Sequence, residues 1–457
     1  MMVYDKIYLV GIGGIGMSAI ARYFHAKSYK VGGYDKTPTT LTDALQEEGI
    51  EVSFAEDYTP QWVNEVDKTL VVYTTAIPKD NYLLNYFKSK GYNLLKRSET
   101  LGLISKDAFT IAVAGTHGKT STSSILAHIL ESSGLGCTAF LGGIATNYNS
   151  NLLLSSNNII VVEADEYDRS FLQLFPDIAI ITSVDADHLD IYEDDKDLKK
   201  TFVDFAEQVN ADGLLLLNES VKDEFLEFNG FEKQTYSVDK PSHHKAINLR
   251  IENHRQLFDA EIYINESDDA VQLIGMTLSL PGVHNVENAL SAIIVAYKLG
   301  LTSDQIIKGI NSFKGIKRRF ETHCDSDHVY IDDYAHHPQE IKVTLEAVRK
   351  LYPKKKLTVV FQPHLYSRTN DFYKQFAQEL SYADEVMLLD IYPARELPVE
   401  GVDSNLILNN ISSKVDKNLF TKDHLLDSLK QKKRELLVTL GAGDIDKLIV
   451  PIKSIYQ

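Results

Sequence analysis

The sequence is poor in cysteine and in positive charge. Its 457 residues include two cysteines, and its formal net charge is −17. A net charge of this sign and size argues against nucleic acid or an anionic membrane surface as a general partner. Cys137 and Cys324 lie far apart and do not have the spacing of a metal site, so a reducing compartment, the cytoplasm, is the simpler interpretation. An anionic substrate would have to be held by local basic or N–H-rich sites.

Long apolar runs are absent as well. No segment approaches the roughly 18 apolar residues that a membrane helix needs. The uncharged residues 7–21 resemble the core of a signal peptide, but Asp5 precedes them, glycines interrupt them, and no small-residue cleavage site follows cleanly. We therefore expect neither a signal peptide nor a membrane span. The chain also has no internal repeat, and its length suggests roughly three domains of about 150 residues.

The most informative stretch that is present covers residues 109–134. An apolar run at residues 109–114 predicts a buried strand, and a later run with helical spacing predicts a helix with its C-cap at Gly134. Between them lie Gly115, Thr116, His117, Gly118, Lys119, Thr120 and Ser121. Glycines let the backbone fold closely around an anion, the lysine adds charge for terminal phosphates, and the next hydroxyl can ligate Mg²⁺. Because Val113 occupies the position of the usual first glycine, the loop is a shortened variant, and an ordinary strand–helix turn is the alternative.

Another glycine-rich turn, the first along the chain, follows the strand signal at residues 6–10. It contains Gly11, Gly13, Gly14 and Gly16 in a G-x-G-x-x-G pattern. Asp35 lies about 20 residues further on, as in dinucleotide-binding folds. The pattern predicts a pyrophosphate on a helix N-terminus without identifying the rest of the ligand. A tight turn without a ligand is the alternative.

Polar residues also end three further predicted strands. They are Thr74 with Thr75, Glu163, and His188. Ligands bind at the carboxyl ends of the strands of a parallel sheet, so Glu163 and His188 would arrive beside the phosphate loop. With Thr120 they make a plausible Mg²⁺ site of the kind that works with nucleotide phosphates. The alternatives are a turn cap for the threonines, a solvated loop for residues 163–168 and a structural role for His188.

Two later segments add amides and an arginine. Asn285 and Asn288 lie three residues apart, so both can present their amides on one helical face, although helix capping also explains Asn285. Arg319 belongs to a basic connector at residues 313–320, which is notable in an acidic protein. It can reach phosphate charge as in phosphoryl-transfer sites, or the connector can be a solvated hinge.

The last part of the chain predicts another α/β unit with polar groups at its strand ends. The candidates there are Asp333, His337, His364 and Arg368, and each is equally compatible with a cap or a surface role. The pair His336 and His337 has no third ligand at metal spacing, which argues against zinc.

Strands that alternate with helices predict an α/β fold of three domains. We expect a Rossmann-like N-terminal domain at residues 1–107, a central P-loop ATPase domain with a mainly parallel sheet at residues 108–312, and a C-terminal Rossmann-like α/β domain at residues 313–457. One phosphate loop with Mg²⁺ ligands indicates ATP, and the separate pyrophosphate turn indicates a nucleotide-linked substrate. ATP cleavage with two substrates suits ligation, in which a carboxylate is phosphorylated and an amine then displaces the phosphate.

Nine motifs, in order along essentially the whole chain, resemble those of the Mur ligase family. They are GIGGIGMSAIA at 11–21, AGTHGKTST at 114–122, EADEYDRSF at 163–171, DADHLDIY at 185–192, GVHNVENAL at 282–290, GIKRRF at 315–320, DDYAHHPQE at 332–340, FQPHLYSRT at 361–369 and GAGDI at 441–445. The set in this order is far more specific than any single motif.

The resemblance implies a ligase that uses ATP and Mg²⁺ to join L-alanine to the carboxylate of UDP-N-acetylmuramate through an acyl phosphate, in peptidoglycan precursor synthesis. The close alternative is a ligase that adds a recycled tripeptide to the same UDP-sugar. A nicotinamide oxidoreductase would explain the first glycine-rich turn alone. A non-catalytic nucleotide-binding module would leave the metal-site residues and the arginine without a purpose.

The resemblance also implies roles for individual residues. The UDP-sugar is expected at Gly11, Gly13, Gly14, Gly16, Asp35, Thr74 and Thr75, and ATP at residues 115–121 with Asn285, Asn288, Arg319 and Asp333. Catalytic roles are implied for Lys119, His188 and Arg319, and metal binding for Thr120, Glu163 and His188. His364 and Arg368 match positions near the incoming amino acid, although Leu365 stands where some relatives have arginine. The C-terminal domain is expected to close over the site, so Arg319 should act only on closure.

Overall fold

The computed structural model describes residues 4–185, 192, 194–227, 231–263, 270–394 and 396–457. Contacts between residues divide the chain into two units. The first contains Met1–Leu249, Phe258–Thr277 and Val283–Lys314, and the second contains Arg250–Leu257, Leu278–Gly282 and Gly315–Gln457. The domain boundaries after residues 107 and 312 stay predictions. His188 lies outside the described residues.

The N-terminal sheet, in the first unit, carries the first glycine-rich turn. Its strands are β1 (Lys6–Val10), β2 (Lys30–Tyr34), β3 (Glu51–Ser53), β4 (Thr69–Tyr73) and β5 (Asn93–Lys96), and its helices are α1 (Ile15–Ala26), α2 (Thr40–Glu47), α3 (Tyr82–Ser89) and α4 (Arg97–Ser105). The strand order is β3-β2-β1-β4-β5, and all four pairs are parallel. Residues 7–10 of β1 are fully buried on both faces, as a central parallel strand requires. This strand places Gly11 at the carboxyl edge of the sheet.

The central sheet has ten strands and carries the phosphate loop. The strands are β6 (Phe109–Ala114), β7 (Thr138–Ala145), β8 (Ser150–Leu153), β9 (Ile159–Ala164), β10 (Ile178–Ile181), β11 (Leu214–Asn218), β12 (Glu232–Ser237), β13 (His244–Glu252), β14 (Arg255–Ile262) and β15 (Val271–Leu278), with helices α5 (Lys119–Ser132), α6 (Asp195–Ala206), α7 (Val283–Lys298) and α8 (Ser303–Ser312). The order is β15-β14-β13-β12-β11-β10-β6-β9-β7-β8. Parallel neighbours β9 and β10 flank β6, so the residues after all three strands meet at one edge.

The second unit contains a six-stranded sheet in the order β16-β17-β21-β18-β19-β20. Its strands are β16 (Glu321–Asp325), β17 (Val329–Asp333), β18 (Leu357–Phe361), β19 (Glu385–Leu389), β20 (Asp416–Phe420) and β21 (Leu436–Leu440), and its helices are α9 (Pro338–Leu351), α10 (Tyr366–Leu380), α11 (Asn405–Leu408), α12 (Lys422–Gln431) and α13 (Ile449–Tyr456). The β16–β17 pair is antiparallel, and the other four pairs are parallel.

These mainly parallel sheets and the helices between their strands confirm the predicted α/β class. Two edge strands of the second unit, β16 and β20, carry mostly polar residues and were not predicted. In the part of the chain that the structure describes, no helix is long and apolar enough to cross a membrane.

His128 gives helix α5 a predicted sensitivity to acid. The side chain is buried, with Nδ1 2.7 Å from the Tyr148 hydroxyl and Nε2 2.9 Å from Ser312 Oγ. Burial lowers the pKa of His128 to about 4, so below the ordinary pKa of 6.5 the unfolded chain binds a proton that the folded chain does not. We expect this group to reduce the free energy of unfolding by about 2 kcal/mol at pH 5, and by almost nothing at pH 7.5. Urea unfolding of wild type and His128→Gln at both pH values measures the effect, and an equal fall in the two proteins would contradict it.

Candidate active site

The turn between β6 and α5 has the backbone of a phosphate loop. Gly115 and Gly118 have φ angles of 138° and 84°, which side-chain-bearing residues rarely adopt. A Cβ on Gly118 would lie 2.5 Å from Asn288 Oδ1, and one on Gly115 would overlap Thr182 Oγ1. Both glycines are therefore required by conformation and by space.

Two hydroxyl residues that follow β10 fix the loop. The amide of Thr116 donates to the Ser183 carbonyl at 3.2 Å, and the amide of His117 donates to Ser183 Oγ at 2.9 Å. The Thr182 hydroxyl donates to the His117 carbonyl. Neither Thr182 nor Ser183 was predicted as a site residue, because both belong to the apolar run at residues 176–184 that predicts a strand, whereas β10 ends at Ile181. These hydrogen bonds tie the loop to the end of β10.

The first turn of α5 presents unpaired amides. Helix α5 has no side-chain N-cap, and its backbone hydrogen bonds begin with the Thr122 amide, which donates to the Gly118 carbonyl at 2.9 Å. Among the described residues, no acceptor lies in hydrogen-bond geometry with the backbone amides of Lys119, Thr120 and Ser121. Three free N–H groups at the positive end of a helix dipole form a site for an anion.

Replacing Gly118 tests whether the loop binds ATP, separately from its effect on the stability of the fold. Gly118→Ala introduces an unfavourable φ and a clash with Asn288, so we expect ATP affinity to fall at least tenfold, since a displaced loop no longer aims its amides at the phosphates. Gly134→Ala is the matched control, because Gly134 has a similar φ of 86° but no heavy atom within 4 Å of the added Cβ. It should cost about 1 kcal/mol of stability and leave ATP affinity unchanged. Titration calorimetry measures both, and equal affinities for the two variants would contradict the assignment.

Lys119 contacts a buried carboxylate. Its Nζ lies 2.7 Å and 2.9 Å from the two carboxylate oxygens of Glu166 and 2.5 Å from the Gly115 carbonyl oxygen. Glu166 is 0% exposed, so it does not belong to a solvated loop. Burial raises the pKa of Glu166, and the adjacent ammonium opposes that rise.

Thr120 and Glu163 are in contact, as their positions in the sequence predicted. The Thr120 hydroxyl donates to Glu163 Oε2 at 3.1 Å, the Ser123 hydroxyl donates to Oε1 at 3.1 Å, and the Gly142 amide donates to Oε1 at 2.5 Å. Burial raises the pKa of Glu163, against the effect of these hydrogen bonds and of Lys119. Among the described residues, no group of three or more His, Cys, Asp and Glu side chains could hold a metal ion. Mg²⁺ needs no such group, since one carboxylate, a hydroxyl, water and substrate phosphates suffice, and this pair fits it.

A cavity of about 200 Å³ lies between the phosphate loop and the first glycine-rich turn. Its lining is Ile15, Gly16, Ala19, Ile20, Arg97, Leu101, Lys119, Phe140, Leu141, Gly142, Glu163 and Asp165. Arg97 Nη2 lies 2.8 Å from Asp165 Oδ2. Arg97 Nη1 lies against Gly16, because a Cβ added to Gly16 would be only 2.6 Å from it. The cavity therefore joins the two predicted phosphate sites and has two basic side chains in its wall. Arg97 was not predicted, because it begins α4 and belongs to no motif.

The first glycine-rich turn, at residues 11–16, is held in shape by Asp35. The Gly13 amide donates to Asp35 Oδ2 at 2.8 Å, and Gly11 has a φ of 90°. An added Cβ on Gly11 would lie 2.8 Å from Thr74 Cγ2, so Thr74 packs against the turn. Gly14 is the N-cap of α1 and has no side-chain cap, and Thr75 is exposed after β4. This turn, too, ends at a helix N-terminus that can accept an anion.

The two asparagines of α7 share one face. Asn288 Nδ2 donates to Asn285 Oδ1 at 3.4 Å, and both side chains are buried. Since Asn288 lies against Gly118, the pair is placed beside the phosphate loop. Simple helix capping does not account for that placement.

In the second unit, the adjacent residues Arg318 and Arg319 make different contacts. Arg318 Nε lies 3.0 Å from Asp332 Oδ2, and its Nη2 donates to the Gly441 carbonyl at 2.5 Å. Arg319 has no ion pair among the described residues and lies over the Tyr334 ring, 5.7 Å from its centre. Its guanidinium is therefore available to an external anion, whereas that of Arg318 is used inside the fold.

Asp333 holds the same connector. Its Oδ2 accepts from the Phe320 amide and its Oδ1 accepts from the Ala335 amide, each at 2.8 Å. Burial raises the pKa of Asp333 to about 6, although Arg319 and these two amides act to lower it. Both oxygens are thus engaged by backbone, so Asp333 orients the residue after Arg319.

His364 and Arg368 lie together at the start of α10. Arg368 Nη1 is 3.5 Å from His364 Nδ1, and the His364 ring stacks on Tyr392 with 5.8 Å between ring centres. Burial lowers the pKa of His364 to about 4, so the ring is neutral near pH 7. Arg368 has no ion pair among the described residues, which leaves its charge for a carboxylate. Tyr392 was not predicted because it carries no motif.

Comparison with known proteins decides the family. Three family models match in order: the Mur ligase family catalytic domain at residues 6–108, the Mur ligase middle domain at residues 113–296 and the Mur ligase glutamate ligase domain at residues 318–445. A curated relative, the UDP-N-acetylmuramate–L-alanine ligase of Flavobacterium psychrophilum, is 48% identical over 454 residues, which cover 98% of this chain and 97% of the relative. The chain belongs to the Mur ligase family. The resemblance of its nine motifs is thereby confirmed.

Solved structures share the fold of this Mur ligase over its whole length. The UDP-N-acetylmuramate–alanine ligase of Thermotoga maritima matches with a TM-score of 0.81 at 26% identity and covers 99% of both chains. The murein peptide ligase of Psychrobacter arcticus matches with a TM-score of 0.71 at 23% identity, over 99% of this chain and 98% of that one. The second likeness shows the fold alone.

Proposed function

We propose that this Mur ligase joins L-alanine to the carboxylate of UDP-N-acetylmuramate with cleavage of ATP to ADP and phosphate, in peptidoglycan precursor synthesis. The observation that carries the proposal is the cavity that connects the phosphate loop to the first glycine-rich turn. It lets the acid of a nucleotide-linked substrate reach the terminal phosphate of ATP. The 48% identical relative supports the choice of substrates.

The three parts of the chain divide the substrates between them. Residues 1–107 hold the UDP-sugar, with its diphosphate at Gly11–Gly16 and the N-terminus of α1, and with Asp35, Thr74 and Thr75 around the turn. Residues 108–312 hold ATP on the amides of α5, with Asn285 and Asn288 beside the loop. Residues 313–457 supply Arg319 and bind the amino acid.

The phosphoryl group is transferred to the sugar's carboxylate. A carboxylate oxygen attacks the γ-phosphorus, the bond to the ADP oxygen breaks, and an acyl phosphate forms. Lys119 and Arg319 offset the charge on the transferring group. Thr120 and Glu163, together with His188 outside the described residues, would hold Mg²⁺, which neutralises phosphate charge when bound.

The amine then displaces the phosphate. Arg368 pairs with the carboxylate of L-alanine, and the neutral His364 lies beside that arginine. The ammonium of L-alanine loses a proton to solvent before its amine attacks. Attack at the carbonyl carbon expels inorganic phosphate and leaves the amide. Leu365, between these two residues in sequence, adds no second positive charge for a longer or more acidic peptide.

The test is phosphate release by the purified protein with ATP, Mg²⁺ and UDP-N-acetylmuramate, with and without L-alanine. We expect release that needs both substrates, and a product heavier by one alanyl residue. Release with the L-Ala-γ-D-Glu-diaminopimelate tripeptide but not with L-alanine would move the assignment to the recycling reaction. ATP binding without release in either mixture would favour a nucleotide-binding module.

A further inference from the structure

Lys119, the lysine of the phosphate loop, contacts both oxygens of the buried Glu166 carboxylate. Both carboxylate oxygens of Glu166 lie within 2.9 Å of the ammonium, and Glu166 is 0% exposed while the Lys119 side chain is 17% exposed. The neighbouring pair Lys96–Asp168 has a similar separation of 2.8 Å, but its two side chains are 38% and 34% exposed. Only the first pair places a desolvated carboxylate directly behind the predicted site of the terminal phosphates.

The backbone around Glu166 keeps this carboxylate in place. The Tyr192 hydroxyl donates to the Glu166 carbonyl. Asp168 and Arg169 both have a φ of 53°, a conformation that non-glycine residues hold only where their surroundings fix it. Arg169 is fixed by Asp197, 2.8 Å from its Nη2. The carboxylate therefore cannot withdraw readily when a second anion approaches Lys119.

We propose that Glu166 is a positioning residue that holds the Lys119 ammonium and competes for it with the terminal phosphates of ATP. The proposal rests on the proposed function, in which ATP occupies the phosphate loop. The Glu166 carboxylate and the phosphates compete for the N–H donors of one ammonium. The buried carboxylate also repels the phosphates electrostatically. Glu166 thus weakens binding of nucleotides that carry β- and γ-phosphates and spares those that do not.

Titration calorimetry with ATP and with AMP, both in the presence of Mg²⁺, tests the proposal. Glu166→Gln keeps the size of the side chain and an acceptor for Lys119 but removes the charge, and we expect it to bind ATP about tenfold more tightly. AMP affinity should not change, because AMP has no phosphate that reaches Lys119. Asp168→Asn, in the same segment, is the matched control and should leave both affinities as in wild type.

The outcomes separate this inference from the proposed function. If the wild-type protein does not bind ATP, the proposed function fails. If it does, and folded Glu166→Gln binds ATP no more tightly or gains equally for AMP, the inference alone is overturned. Should Glu166→Gln not fold, a crystal structure of the wild-type protein with a non-hydrolysable ATP analogue decides. The proposal requires Lys119 to leave at least one oxygen of Glu166 for the phosphates, and a lysine that keeps both contacts would contradict it.

Discussion

Lys119→Met should lower turnover by about a thousandfold and destabilise the protein at the same time. The loss of turnover follows from the removal of a preorganised charge at the transferring phosphoryl group. The loss of stability follows from the Glu166 carboxylate, which is fully buried and loses the ammonium 2.7 Å away. Breaking a buried pair from one side costs about 3 kcal/mol. Steady-state phosphate release and urea unfolding measure the two effects.

A double variant separates the two effects of Lys119. Lys119→Met with Glu166→Gln replaces the buried charge by a neutral amide, so the stability should return to near the wild-type value. Turnover should stay low, because the phosphates still lack the ammonium. Recovery of activity in the double variant would show that Lys119 acts through stability, and unchanged stability in the single variant would contradict the buried pair.

The second large effect is expected for Arg319→Ala. This substitution should lower kcat by about a thousandfold and change ATP affinity little. An arginine that stabilises charge only during phosphoryl transfer contributes to turnover and not to ground-state binding. The structure supports the assignment because Arg319 has no ion pair among the described residues, while Arg318 is held by Asp332 at 3.0 Å. Single-turnover kinetics and ATP titration check it, and equal losses in kcat and affinity would count against the role.

Arg318→Ala is the matched control for Arg319. Removing Arg318 leaves the fully buried Asp332 carboxylate without its partner, so we expect the second unit to lose about 3 kcal/mol of stability. Activity that remains after correction for the folded fraction should be close to that of the wild type. A thousandfold loss in a well-folded Arg318→Ala protein would mean that the two arginines have been assigned in the wrong order.

The phosphate loop and its strand–helix context could be predicted because their chemistry is local. Gly115 and Gly118 need positive φ, and Thr120 follows the lysine directly, so a short window of sequence contains the whole signal. The pairing of Thr120 with Glu163 also followed, since β6 and β9 are parallel neighbours whose ends meet at one edge. Here the alternation of strands and helices predicted a contact between residues that are distant in sequence.

Other contacts could not be predicted because they depend on tertiary burial. Glu166 lies in an acidic run that composition alone makes look solvated, and only the packing around it shows a buried partner for Lys119. Tyr392 meets His364 from the end of another strand, at a sequence distance that no motif spans. Arg318 and Arg319 are identical in type and adjacent, so only their contacts distinguish them. The polar edge strand β20 lacks the alternation by which strands are recognised.

The most direct test of the central claim, that ATP activates the sugar's carboxylate, is an isotope transfer. UDP-N-acetylmuramate labelled with ¹⁸O in its carboxylate is incubated with the protein, ATP, Mg²⁺ and L-alanine, and the released phosphate is analysed by mass spectrometry. An acyl phosphate intermediate predicts one ¹⁸O atom in each phosphate, because the bond that the amine breaks lies between carbon and that oxygen. Unlabelled phosphate, released together with alanylated product, would contradict the account.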